Sequence, residues 1–122
     1  MVTAAPVLVV EDDASILDVV RSALEAEGYH VRTATNGKEG LERLAQEPIS
    51  LVLLDMRMPI LDGWQFAHEV KRRAIKVPII VMTAAQNARR WAEEIEADAY
   101  LAKPFDLDVL LETVATEIRH IS

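Results

Sequence analysis

Short apolar segments recur along the chain and predict strands. Val7–Val10, Leu51–Leu54 and Val77–Met82 are rich in Val, Leu and Ile and show no alternation of apolar and polar residues. This pattern is typical of strands that are buried on both faces of a parallel sheet. Tyr29–Thr33 and Ala99–Ala102 are weaker apolar segments and predict two further strands, the first of them at an edge.

Between these segments, apolar residues recur at the three- and four-residue spacing of an amphipathic helix. The first stripe ends at Gly28, and the third begins near Asp62, which we interpret as an N-cap. Strands and helices therefore alternate five times, which predicts a doubly wound α/β fold, a parallel sheet with helices on both faces. The five stripes are Ile16, Val19, Val20, Ala23 and Leu24; Leu41, Leu44 and Ala45; Trp64, Phe66, Ala67 and Val70; Ala88, Trp91, Ala92 and Ile95; and Leu107, Leu110, Leu111, Val114 and Ile118.

Polar side chains follow four of the five predicted strands. The carboxyl ends of parallel strands meet at one edge of the sheet, and ligands bind in the crevice there, where the strand order reverses. We therefore expect these side chains to converge. In chain order they are Glu11, Asp12 and Asp13; Asp55; Thr83; and Lys103.

The charges at this edge suggest a magnesium site. Glu11, Asp12 and Asp55 contribute three negative charges and Lys103 one positive charge, so a divalent cation would neutralise the cluster. Oxygen ligands select a hard cation such as Mg²⁺, and no histidine or thiol is predicted nearby to favour zinc. A carboxylate beside Mg²⁺ can attack a phosphoryl group and form an aspartyl phosphate.

Simpler interpretations compete for each of these residues taken singly. Asp13 is best explained as a helix cap, and a residue such as Asp12, taken alone, is a cap or solvated turn residue about half the time. Thr83 alone is more often a loop hydroxyl and Lys103 a surface charge. The coincidence of four polar strand ends in one crevice favours the functional interpretation.

Composition narrows the class of protein. The chain has 122 residues, which predicts one domain, and its net charge of −7 argues against direct nucleic-acid binding. Its longest basic run is Lys71-Arg72-Arg73. It has no cysteine, no recognisable signal peptide and no apolar segment long enough to span a bilayer. We therefore expect a cytoplasmic protein without membrane insertion.

Four motifs in order resemble those of the response-regulator receiver domain, the chemotaxis-regulator-like domain of two-component signalling. They are Val9-Val10-Glu11-Asp12-Asp13; Leu53-Leu54-Asp55-Met56-Arg57-Met58-Pro59 followed by Asp62-Gly63; Met82-Thr83-Ala84; and Tyr100-Leu101-Ala102-Lys103-Pro104-Phe105. The resemblance covers essentially the whole chain. It implies a flavodoxin-like sheet of order 2-1-3-4-5, and a single receiver domain over residues 1–122 with no output domain.

The resemblance also implies the roles of the acidic residues. Asp55 would be the phospho-acceptor. Asp12 would bind Mg²⁺ directly and Glu11 through water, and the main-chain carbonyl of Arg57 would complete the protein ligands. Lys103 would hold the phosphoryl group, and its bond to Pro104 is expected to be cis.

The same resemblance implies a switch. Thr83 would move toward the phosphoryl oxygen and the Tyr100 ring would turn inward with it, while the small side chain of Ala84 would leave room at the phosphate. The donor would be a phosphohistidine on a sensor histidine kinase or phosphotransfer protein, and an unknown downstream protein would be the target. The chain would be a phospho-acceptor of a phosphorelay, with only slow hydrolysis of its aspartyl phosphate, and not an enzyme.

Other functions remain open from the sequence. The chain could be a receiver-like interaction module that works without phosphorylation. A metal-dependent phosphohydrolase would use the same aspartyl-phosphate chemistry, although the chain shows no evident substrate pocket. A nucleotide-binding role is disfavoured because no glycine-rich loop follows the first strand.

Three features depart from the family pattern. The interval from Thr83 to Lys103 is short, so we expect a shortened fourth helix or leading loop. Glu96 stands where the family has glycine, so we expect the local turn to differ. Arg57 lies two residues after Asp55, and we hypothesise that its guanidinium reaches the phosphoryl group or screens the acidic cluster, altering the phosphoryl lifetime.

Overall fold

A computed structural model of the chain describes residues 5–120, so both ends of the predicted domain over residues 1–122 lie outside the described part. Five strands alternate with five helices. The strands are β1 (Val7–Val10), β2 (Val31–Ala34), β3 (Leu51–Asp55), β4 (Ile79–Ala84) and β5 (Ala99–Lys103). The helices are α1 (Ala14–Ala26), α2 (Gly37–Gln46), α3 (Gly63–Arg72), α4 (Ala85–Glu94) and α5 (Leu107–His120).

The strands form one parallel sheet of order β2-β1-β3-β4-β5, which confirms the predicted fold class and the edge position of β2. Val10 at the end of β1 pairs with Ala34 of β2 on one side and with Leu54 of β3 on the other. The strand order therefore reverses between β1 and β3. This places the crevice expected for a ligand over the carboxyl ends of those two strands.

Each face of the sheet carries its own hydrophobic cluster, because successive side chains of a strand point to opposite faces. Val7 and Val9 of β1 lie in the cluster beneath α1 and α5, whereas Leu8 and Val10 lie in the cluster beneath α2, α3 and α4. The central strands are buried throughout, which explains why their sequences do not alternate. The fold is thus a three-layer sandwich with the sheet between two layers of helices.

Some predicted boundaries and burials were wrong. Strand β2 is Val31–Ala34 rather than Tyr29–Thr33, and β4 is Ile79–Ala84 rather than Val77–Met82, so Thr83 lies within β4 and not after it. Val19 was predicted in the apolar stripe of α1 but is half exposed, at 51%. Val19 lies at the margin of a stripe in which Val20 and Leu24 already cover the sheet.

Side-chain caps explain where α1, α2 and α3 begin. Asp13 accepts hydrogen bonds from the Ser15 and Ile16 N–H groups, which confirms it as a helix cap, and Asn36 caps α2 through the Glu39 N–H. The predicted N-cap Asp62 forms a reciprocal capping box with Gln65.

Helix α4 begins differently. It follows Ala84 directly, with no loop after β4 and no side-chain cap, so the short interval is accommodated by loss of the leading loop. In the described part of the chain, no helix is long and apolar enough to cross a membrane.

Three helices end in the same way, with a left-handed residue after the C-cap. In α1 this residue is Gly28 (φ 93°), in α3 it is Ala74 (φ 57°) and in α4 it is Glu96 (φ 55°). The paired backbone hydrogen bonds of a Schellman motif follow in each case, such as Glu96 N–H to the Glu93 carbonyl and Ala97 N–H to the Ala92 carbonyl. The expectation of a different turn at Glu96 was wrong, because glutamate adopts the left-handed conformation itself.

We expect Ala74→Gly to stabilise the chain by about 0.5–1 kcal/mol, because glycine adopts a positive φ without the strain that an L side chain incurs. The Ala74 side chain is exposed, so its removal costs little packing. The free energy of unfolding in urea tests this. Ala85→Gly, at the exposed start of α4, is the matched control and should not stabilise. Equal stability of Ala74→Gly and the wild type would contradict the strain argument.

Candidate functional site

The ends of β1 and β3 bring three carboxylates together. Glu11 directly follows β1, where its N–H continues the sheet by donating to the Ala34 carbonyl (3.0 Å). Its side chain is buried, with 1% of the residue exposed, and Asp55 at the end of β3 is also buried. Asp12 is exposed beside them. Single oxygens of Glu11, Asp12 and Asp55 all lie within 4.8 Å of one another, as the sequence predicted.

Among the described residues, Lys103 is the only lysine whose ammonium group lies against these carboxylates. It ends β5, and its Nζ donates to Glu11 Oε1 at 2.6 Å and lies 3.5 Å from Asp55 Oδ1. The Lys103–Pro104 bond is cis, as expected. Lys103 therefore bridges the buried Glu11 and the predicted phospho-acceptor.

The single ammonium does not balance the cluster, and the ionisation of Asp55 reflects this. Burial, and after it the neighbouring Glu11 carboxylate, raise the pKa of Asp55 from its ordinary value of 3.8 to about 7. The Lys103 ammonium opposes both effects by lowering that pKa. These groups by themselves thus carry more negative charge than their burial favours.

These residues fit a divalent cation. The three carboxylates offer only oxygen atoms as ligands. Glu11 and Asp55 are buried and Asp12 is exposed, so a cation can approach from solvent past Asp12. Hard oxygen ligands and incomplete charge balance suit Mg²⁺, which keeps several waters and takes few protein ligands. Within the described residues, Glu11, Asp12 and Asp55 are therefore the candidate metal ligands.

The remaining predicted site residues, apart from Tyr100, line the same cavity of about 340 Å³. Thr83 is buried near the end of β4, and Ala84 follows it. Arg57 is exposed at the rim. Tyr100 is not among the lining residues; it lies on edge strand β5 and is 46% exposed, so its ring does not point into the site in this structure.

The loop after β3 is held tightly against the strand end. The Arg57 N–H donates to Asp55 Oδ1 (3.4 Å), and the Gly63 N–H donates to the Met56 carbonyl (2.9 Å). A Cβ atom on Gly63 would lie 2.7 Å from Met56 Cα, so only glycine permits this approach. The role predicted for the Arg57 carbonyl as a metal ligand remains a prediction.

The sequence analysis missed the part of α4 that lines this cavity. Asn87 and Trp91 lie one turn apart on the face of α4 that lines the cavity beside Arg57. A signal existed for Asn87, since the first turn of a helix that follows a crevice strand lies at the crevice. Trp91 was interpreted only as a packing residue; it is indeed buried in the core, and it also reaches the site.

Comparisons with known proteins show which proteins the chain resembles. A family model described as "Response regulator receiver domain" matches residues 7–115. The transcriptional regulatory protein PcoR of Escherichia coli is 34% identical over 115 residues, which are 93% of this chain and 51% of PcoR. The transcriptional regulatory protein ZraR of Klebsiella oxytoca is 34% identical over 116 residues, 93% of this chain and 26% of ZraR. The chain thus spans only about a half or a quarter of these relatives.

Solved structures show the same fold. The receiver domain of the Francisella response regulator 1452 superposes with a TM-score of 0.89 at 27% identity, covering 98% of this chain and 100% of that one. A CheY-like response regulator receiver domain protein from Methanospirillum hungatei gives a TM-score of 0.84 at 29% identity, covering 95% and 94%.

Proposed function

Because this chain belongs to the family of response regulator receiver domains, we propose that it accepts a phosphoryl group on Asp55 in a Mg²⁺-dependent reaction. The observation that carries the proposal is the position of Asp55, buried between Glu11, Asp12 and Lys103 at the mouth of one cavity. Glu11 has the same neighbours, but both of its carboxylate oxygens already accept hydrogen bonds, from Lys103 Nζ (2.6 Å) and from the Asp13 N–H (3.2 Å).

The residues of the site divide the chemistry between them. A carboxylate oxygen of Asp55 attacks phosphorus, and the bond to the leaving group breaks with its electrons staying on that group. The Lys103 ammonium, 3.5 Å from Asp55 Oδ1, would follow the phosphoryl oxygens and offset their charge. Bound Mg²⁺, held by Glu11, Asp12 and Asp55, would supply further charge neutralisation.

Switching would begin at the end of β4. The Thr83 hydroxyl lies in a buried position at the cavity and can donate to a new phosphoryl oxygen. We propose that Thr83 and Tyr100 are the switch pair and that the exposed Tyr100 ring moves inward on phosphorylation. The signal would then alter binding of a downstream protein.

A phosphohistidine on a sensor histidine kinase or phosphotransfer protein is the proposed donor, and we place the reaction in the cytoplasm. PcoR and ZraR are transcriptional regulatory proteins by name, and each is longer than this chain. The reaction proposed at Asp55 therefore does not depend on which protein this chain binds.

We expect acetyl phosphate to add one phosphoryl group to the chain when Mg²⁺ is present and none when EDTA is present. Intact-protein mass spectrometry measures the addition, and reversal by excess Mg²⁺ controls for damage by the chelator. Equal labelling with and without Mg²⁺ would contradict the proposed metal dependence. Absence of labelling under both conditions, with acetyl phosphate and with a panel of histidine kinases, would favour a phosphorylation-independent interaction module.

A further inference from the structure

An arginine and a tryptophan meet beside the phospho-acceptor. The guanidinium carbon of Arg57 lies 5.2 Å from the centre of the Trp91 ring, within the range of a cation–π contact. Trp91 is only 6% exposed, so its ring is fixed by the core, whereas Arg57 is exposed and comes from the loop after β3. The contact joins that loop to α4.

Arg57 has no carboxylate partner within the part of the chain that the structure describes. Its guanidinium therefore stays beside an acidic cluster without an ion pair, held by the face of an aromatic ring. Both side chains line the cavity that contains Asp55. A phosphoryl group formed there would bring up to two negative charges and three acceptor oxygens into the same space.

We propose that Arg57 and Trp91 form a latch, in which the Trp91 ring holds the guanidinium beside the unphosphorylated site and a phosphoryl group on Asp55 draws it away. The inference rests on the proposed function and assigns Trp91 a positioning role. Bidentate hydrogen bonding to a phosphoryl oxyanion is stronger than a cation–π contact near solvent, so the exchange is favourable.

Release of Arg57 from Trp91 would also affect residues outside the site. Trp91 packs edge-on against Trp64 of α3, with ring centres 4.8 Å apart. The Trp64 indole N–H donates to Glu94 Oε1 of α4 at 2.9 Å. Release of Arg57 would therefore alter the surroundings of the residues that join α3 to α4.

Tryptophan fluorescence tests the latch directly, since Trp64 and Trp91 are the chain's two tryptophans. In Trp64→Phe, Trp91 is the only emitter, and we expect Mg²⁺ with beryllofluoride, a phosphoryl mimic, to change its emission. In Trp64→Phe/Arg57→Ala that change should be lost. Trp64→Phe/Arg89→Ala is the matched control, because it removes an exposed cation of α4 whose partner is Glu93, and it should keep the full change.

Binding of beryllofluoride, followed by ¹⁹F NMR, separates the latch from the function on which it rests. We expect Arg57→Ala to bind the mimic roughly fivefold more weakly. This factor corresponds to the free energy by which a charged hydrogen bond exceeds an exposed cation–π contact. If Arg57→Ala binds it as tightly as wild type, or keeps the Trp91 emission change, the latch is overturned and the phospho-acceptor role stands. Absence of bound beryllofluoride in the wild type with Mg²⁺ would overturn the proposed function as well.

Discussion

Asp55→Asn is expected to take up no phosphoryl group from acetyl phosphate and Mg²⁺ under conditions that label the wild-type chain. The amide of asparagine has no anionic oxygen to attack phosphorus, so labelling of this variant would need another carboxylate of the site. Glu11 is nearer to Lys103, but its Oε1 accepts the lysine's hydrogen bond at 2.6 Å and its Oε2 accepts the Asp13 N–H at 3.2 Å. Both Glu11 oxygens are therefore engaged, whereas Asp55 Oδ1 accepts only the longer hydrogen bond from the Arg57 N–H (3.4 Å).

Asp13→Asn is the matched control for this experiment. It makes the same chemical change next to the site, and asparagine can still cap α1 by accepting the Ser15 and Ile16 N–H groups that Asp13 accepts now. Its labelling should match that of the wild type. Peptide mapping of the labelled protein identifies the acceptor, and recovery of label on Asp12 or Glu11 in Asp55→Asn would show that the acceptor was misassigned.

The sequence was sufficient to predict most of this site because parallel strands impose a simple rule. Glu11, Asp55 and Lys103 each directly follow or end a strand that the apolar pattern detects, and the shared polarity of those strands brings them to one edge. Thr83 lies at the predicted edge of the sheet, although the predicted bounds of β4 were wrong by two residues. The position of the crevice depends on where the carboxyl ends of the strands converge, and not on the exact residue at which each strand ends.

What the sequence could not predict depends on packing between elements. Trp91 has the spacing of a core residue, and nothing in that spacing shows that its ring also meets Arg57 from a different loop. The turn at Glu96 was predicted wrongly for a related reason. Backbone hydrogen bonds from Glu96 and Ala97 compensate for the strain of a left-handed glutamate, and its side chain pairs with Lys71 of α3.

The second large effect is expected in the pH dependence of stability without metal. Burial, followed by the charge of Glu11, raises the pKa of Asp55 from 3.8 to about 7, so the folded chain binds this proton more tightly than the unfolded chain. Stability should therefore be lost as the pH rises from about 4 to about 7. A raised carboxyl pKa destabilises the fold above that window and not below it.

Comparison with Asp55→Asn isolates this contribution. Near pH 4 the protonated Asp55 resembles asparagine, so the two chains should have similar free energies of unfolding. By pH 8 in EDTA the variant should be more stable by up to about 4 kcal/mol, which is about three pKa units converted to free energy. Asp18→Asn, a surface residue paired with Arg21, is the control and should show no such trend.

Urea unfolding at several pH values measures these differences in the free energy of unfolding. The same measurements in the presence of Mg²⁺ provide a second test. A cation held by Glu11, Asp12 and Asp55 binds the ionised, folded chain, so saturating Mg²⁺ should stabilise the wild type at pH 8 more than it stabilises Asp55→Asn. The gap between the two chains should then narrow. A stability difference that is constant from pH 4 to pH 8 would mean that Asp55 ionises normally in the fold. The electrostatic basis for assigning the metal site to these three carboxylates would then be lost.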